Sequence, residues 1–203
     1  MKKMLREKYE LAITDLGKLI ELDPANSDAY IARGEVRIEL GQYSKAIADF
    51  NKVIKQNPEN ACAYNMQGKV YFKQRKYKKA IANFDKAILL EPEYPEAYGL
   101  RGCTHKALWQ PKQAIADLEK ALELNPELDW VERELDEARG KNRFLENIAA
   151  SVAKEGGLVS ERVHIIAAEK RMGFLSVLRW ISMDIGDYYT NTTDRQPECC
   201  ATV

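Results

Sequence analysis

From residue 7 to residue 128 the apolar positions keep helical spacing, in a phase that resets every 34 residues. Ala46, Ala80 and Ala114 share one phase, Phe50, Phe84 and Leu118 a second, and Ile47, Ile81 and Ile115 a third. Gly34, Gly68 and Gly102 precede these groups, and Pro58, Pro92 and Pro126 follow them. Each period therefore predicts two short helices. The first opens at Ala29-Tyr30, Ala63-Tyr64 or Ala97-Tyr98. The second ends before the proline, which lacks an amide donor and disfavours helix at the residue before it. Glycine in the first helix removes side-chain bulk, and the alanines of the second offer a matching small surface, so the pair can approach closely. Ile54, Ile88 and Leu122 extend the apolar stripe. Pro111 breaks the series Tyr9, Tyr43, Tyr77, yet it falls in the first turn of its helix, where proline is tolerated.

An aromatic residue, a glycine, an alanine with a second aromatic, and a proline at these offsets resemble the tetratricopeptide repeat, a helix-turn-helix unit. The resemblance spans about residues 7–128. It implies an all-α fold, a right-handed α-α superhelix of antiparallel helix pairs, with complete repeats at 27–60, 61–94 and 95–128. Residues 1–26 read as a half repeat. Tyr9, Ala12, Ile13, Leu16, Leu19 and Pro24 match a second helix, and no first helix precedes them. An uncovered array end is expected in a fragment of a longer array or where another subunit lies over it, which makes self-association through this helix one expectation. Helices this short are marginal alone, so stacking must supply their stability.

Past residue 128 the match fades. Leu128, Val131, Leu135 and Ala138, then Leu145, Ile148, Ala149 and Val152, still keep helical spacing. Their outward neighbours Glu132, Glu134, Asp136, Glu137 and Lys141 are charged, which predicts a capping helix over 129–155, bent near Gly140. Gly156-Gly157 interrupts the pattern. Ser160 then opens an amphipathic helix over 160–185, with Val163, Ile166, Ala167, Phe174, Val177, Leu178, Ile181 and Ile185 on its apolar stripe. The tail over 186–203 has turn-forming composition and is expected to be disordered.

The charges balance, with 31 acidic and 31 basic side chains, and a pI near 6.8 leaves no electrostatic footprint for nucleic acid. The N-terminus lacks the apolar core of a signal peptide and no run reaches transmembrane length, so a cytoplasmic protein is expected. Cys62, Cys103, Cys199 and Cys200 have neither the number nor the spacing of a disulfide framework or zinc site. The sequon at Asn191 matters only in a secreted chain, and the last four residues lack the favoured aliphatic positions and upstream basic run of a prenylation signal. There is no glycine-rich phosphate loop, His-Glu metal spacing or nucleophile elbow, and neither His105 nor His164 has a catalytic partner nearby in sequence. No enzymatic activity, cofactor or metal is expected.

What remains is a surface. By the resemblance, the first helices of successive repeats line a concave groove, and the residues implied there are Ile31, Glu35, Ile38, Asn65, Met66, Lys69, Phe72, Lys73 and Leu100. Asn65, Lys69 and Lys73 recur four apart and share a helical face suited to a carboxylate or a peptide carbonyl, although solvated lysines are the plainer reading. Ile31, Ile38, Met66, Phe72 and Leu100 would form an apolar floor. Family members that grip the acidic C-terminus of Hsp70 and Hsp90 chaperones use a two-carboxylate clamp. At those positions this chain has Ile31, Glu35, Met66, Glu96 and Leu100, and the two acidic residues would repel such a ligand. The expected function is a non-enzymatic scaffold or adaptor that holds a peptide segment of another protein. Two alternatives use the stripe from Val163 to Ile185: it occupies the protein's own groove or last repeat, or it attaches to a membrane through Phe174, Leu175, Leu178, Trp180 and Ile181. Sparse basic residues on its polar side argue against the membrane.

Overall fold

The computed structural model describes residues 2–155, with side chains described for 4–147. Regular structure among them is helical throughout: α1 (Lys2–Leu22), α2 (Ser27–Glu39), α3 (Tyr43–Gln56), α4 (Ala61–Lys73), α5 (Tyr77–Leu90), α6 (Pro95–Ala107), α7 (Pro111–Leu124) and α8 (Asp129–Glu155). The chain divides into two compact units, residues 1–139 and 140–203. The amphipathic helix expected over 160–185, the tail over 186–203, His164, Cys199 and Cys200 lie outside the described residues.

In the first unit each of α1 to α7 packs on its neighbours in sequence, and the first helices also touch directly, α2 on α4 and α4 on α6. The fold is the all-α stack of helix pairs that the period implied. Gly34 lies so close to Phe50 that a β-carbon at residue 34 would sit 2.5 Å from the ring. Gly68 stands in the same relation to Phe84 at 2.5 Å, and Gly102 to Leu118 at 2.8 Å. These are the close approaches for which the sequence supplies glycine. Ala46, Phe50, Ala80, Phe84, Ala114 and Leu118 are fully buried.

The links between helices follow from local chemistry. Asn26 and Asn60 cap α2 and α4, their side chains accepting from the amides of Ala29 at 2.9 Å and Ala63 at 2.8 Å. Asp23, Asn57 and Asn125 each accept from the amide two residues on, forming Asx turns around the following proline. Between the helices of a pair the chain enters the left-handed region, at Gly41 (φ 71°), Arg75 (φ 58°) and Trp109 (φ 57°).

Ion pairs tie the two helices of a repeat together. Arg33 donates to both oxygens of the buried Asp49 and Arg37 donates to one of them at 2.5 Å. Arg101 bridges Asp117 and Asp85, both at 2.6 Å. Gln67 holds the place of Arg33 and Arg101 in the second repeat, and it donates at 2.7 Å to Asn51 of the preceding repeat, as Arg101 does to Asp85.

Helix α8 continues through Gly140 to Glu155. Its first part packs Val131, Leu135 and Ala138 on Ala114, Leu118 and Ala121 of α7. Of the second unit, residues 140–155 are described as helix, and Asn142 donates to Glu146 at 2.8 Å.

Candidate functional site

The first helices α2, α4 and α6 lie side by side, so equivalent register positions form rows across them. The ninth position of each repeat gives the row Glu35, Lys69, Cys103, and the thirteenth gives Glu39, Lys73, Ala107. Glu35 and Lys73 are exposed, and Lys69 is half-buried. Ile31 is half-buried against the cluster of Ile20, Ala29, Tyr30, Val53 and Ala63. Met66 is half-buried against a neighbouring cluster, and Phe72 places its ring 5.8 Å from that of Tyr77. Leu100 is half-buried.

Two of the implied groove residues prove to be interior. Ile38 is 3% exposed and packs with Ala46, Phe50 and Val70. It recurs four residues after Gly34 and eight after Tyr30, both buried, so its helical face is the one turned to the core. Asn65 is 1% exposed and donates through Nδ2 to the Tyr94 hydroxyl at 3.2 Å. Asn65 is thus a structural link between α4 and the start of α6, and the row it shares with Lys69 and Lys73 begins beneath the surface.

Tyr94 also shares a hydrogen bond with Cys62, and burial is the main reason that the pKa of each is raised. Cys103 donates to Glu134 Oε2 at 3.4 Å, and burial first, then the Glu134 charge, pushes its thiol up to about 12. Lys106 is bound to Glu134 and to Glu137 at 2.6 Å. Burial works against its charge, but the hydrogen bonds that it donates to the two carboxylates outweigh it and raise its pKa. Trp130 packs over Gly99, where an added β-carbon would meet its ring at 2.6 Å. The exposed side of α6 is therefore covered by α8, while α2 and α4 keep Glu35, Lys69 and Lys73 clear. Sequence reasoning does not single out Tyr94, and it reads Glu134 as an outward charge of the capping helix, whereas Glu134 and Trp130 turn to α6. The signal for the last two was the phase of α8: Val131 stands 34 residues after Ala97, and both are fully buried.

Burial raises the pKa of both described thiols and so disfavours the nucleophilic thiolate at each. His105 shares a hydrogen bond with Gln110 at 2.8 Å and lies 3.8 Å from Asp117, an arrangement that holds the turn into α7. Among the described residues no group of three or more His, Cys, Asp and Glu side chains is placed to hold a metal ion, and no helix is long and apolar enough to cross a membrane.

Family models for the tetratricopeptide repeat match residues 16–48, 34–74, 61–94 and 95–128. This chain belongs to the tetratricopeptide repeat family. Similar solved structures include the first such domain of human RPAP3, at 27% identity and a TM-score of 0.58 over 61% of this chain and 98% of that one. A second is the first such domain of Spaghetti (RPAP3) bound to the HSP90 peptide SRMEEVD, at 26% identity and a TM-score of 0.53 over 56% of this chain and 90% of that one. The crystal structure of MamA shares the fold at 21% identity, with a TM-score of 0.57 over 91% of this chain and 95% of that one. Comparison with curated proteins found no match.

Proposed function

We propose that this protein is a non-enzymatic cytoplasmic scaffold that holds a peptide segment of another protein across α2 and α4. The observation that carries the reading is the contrast between neighbouring first helices. The side of α6 has its cation and thiol paired with Glu134 and its glycine covered by Trp130, whereas Glu35, Lys69 and Lys73 enter no ion pair among the described residues. Beside those charges, Ile31, Met66 and Phe72 keep part of their apolar surface in solvent. Unpaired charges around half-buried apolar side chains suit an extended or helical segment of mixed character. A similar domain in Spaghetti holds a chaperone peptide, which supports the same use of the fold. Glu35, at the ninth repeat position where the two-carboxylate clamp needs an asparagine, favours a ligand with a basic residue there.

The test is selection from a peptide library on the full chain, followed by calorimetric titration of the enriched peptides against the wild type and against Glu35→Ala/Lys69→Ala/Lys73→Ala. The expected result is a shared motif whose affinity falls at least about tenfold in the variant, the loss of roughly two charge-assisted contacts. Equal affinities would remove this face as the reader.

A further inference from the structure

The turn between α4 and α5 departs from that of the first repeat in three ways and from that of the third in two. The first is charge. Lys69, Lys73, Arg75, Lys76, Lys78 and Lys79 place six cations in eleven residues without a carboxylate, in a chain whose charges balance at 31 and 31. The same segment of the first repeat balances Arg37 and Lys45 with Glu35 and Glu39, and that of the third carries only Lys106 and Lys112 with His105. Lys73, Arg75, Lys76, Lys78 and Lys79 are exposed, and none of them enters an ion pair among the described residues. The arginines of the first helices, Arg33, Arg37 and Arg101, are all bound to aspartates.

The second departure is backbone conformation. Arg75 has φ 58°, where the first repeat uses Gly41 at φ 71°. A side chain in the left-handed region costs free energy that glycine avoids. Trp109 takes the same conformation in the third repeat, but it is half-buried and makes contacts there, while Arg75 projects into solvent. The third departure is helix polarity. Lys76, Lys78 and Lys79 crowd the start of α5, where the positive end of the helix dipole disfavours cations; like α3 and α7, α5 has no side-chain cap at that end. Helices α3 and α7 begin with one lysine each in their first turn, Lys45 and Lys112. A run of unpaired cations at a helix start, with a charged side chain in the left-handed region, points to a role other than folding.

We propose that Arg75, Lys76, Lys78 and Lys79, with Lys73 at the rim, form a docking site for a short acidic segment of a partner protein, a run of Asp and Glu side chains. The site lies at the α4–α5 turn and shares only Lys73 with the proposed peptide-binding face of α2 and α4. Lys79 is poised over the Tyr71 ring at 5.7 Å, and Tyr77 rests against Phe72, so the cations stand on an aromatic base. A short segment fits better than a membrane or a long polyanion. The matching rows carry Glu35 and Glu39 in the preceding repeat, and Glu134 and Glu137 follow beyond α6, so an extended anionic surface would meet carboxylates on both sides.

The experiment uses the full chain and a fluorescein-labelled oligoglutamate peptide, read by fluorescence anisotropy at low and physiological salt. The expected result is saturable binding that weakens with salt. Lys76→Gln/Lys78→Gln/Lys79→Gln should weaken it at least about tenfold, and Lys52→Gln/Lys55→Gln on α3 should leave it unchanged. Arg75→Gly guards against misfolding, because glycine suits this backbone: it should melt no lower than the wild type and still lose affinity. Absence of saturable binding by the wild type overturns the proposal, as does an equal loss in the α3 variant. So does tighter binding of phosphatidylserine vesicles or polyuridine through the same lysines, which would assign the turn to another class of partner.

Discussion

The ring of Phe50 rests on the bare backbone of Gly34, with Cε1 2.5 Å and Cζ 2.6 Å from where a β-carbon would stand. One residue pair thereby sets the distance between α2 and α3, and Gly68 with Phe84 repeats it one period later.

Gly34→Ala or Gly68→Ala should destabilise the fold by about 1–3 kcal/mol through overpacking, against roughly 1 kcal/mol gained in helix propensity. Gly140, also helical, has nothing within 4 Å of its missing β-carbon, so Gly140→Ala should be neutral or stabilising. Urea denaturation monitored by circular dichroism separates the two. Equal effects at all three positions would refute the close approach.

Asp49 is 3% exposed and receives Arg33 and Arg37, whose side chains are 17% and 16% exposed. Asp49→Ala leaves two largely buried cations unpaired and should cost about 3 kcal/mol. Lys18→Ala, which breaks an exposed pair with Asp15, should cost less than about 0.5 kcal/mol. A double-mutant cycle of Asp49 with Arg33 and Arg37, followed by thermal melting, measures how much of the cost is the pairing.

Cys103 ought to resist alkylation. Its thiol is pushed from 9.0 up to about 12 by burial and by Glu134, so little thiolate exists near neutral pH. Glu134→Gln removes the carboxylate and should speed reaction with iodoacetamide at Cys103, located by peptide mapping. The sign for stability follows from the raised folded value. The contribution of this thiol is fully present below pH 9, the unfolded value, and is lost as pH rises through about 12. An alkaline melt of Cys103→Ser should show a shallower decline over that window than the wild type.

Asn26 and Asn60 each cap a first helix with a side-chain bond. Asn26→Ala and Asn60→Ala should each cost about 1 kcal/mol, and Asn→Gly at either site only a few tenths. Chemical denaturation of the four variants tests whether the bonds or only the backbone conformations matter.

The period was legible because each repeat must solve one packing problem with its own residues. Glycine opposite a ring, alanine beside it and proline after the helix are local solutions that leave local traces. The candidate face was legible less well. Resemblance placed Ile38 and Asn65 on it, yet Ile38 shares the core-facing stripe of Tyr30 and Gly34, and Asn65 is drawn under by Tyr94 from 29 residues away. A register position names the turn of helix that a side chain occupies. Whether that side chain meets solvent depends on what the next repeat places against it.

By itself, then, the sequence determined the family, the helix pairs and their order, since these rest on spacing within 34 residues and on the backbone limits of glycine and proline. Only the tertiary structure decided which charges are spent and which are free. Lys106 and Lys69 look alike along the chain, but α8 brings Glu134 and Glu137 to Lys106 from across the stack, while Lys69 has no such partner among the described residues. These partners stand about 30 residues away in sequence, and no local pattern records that they arrive.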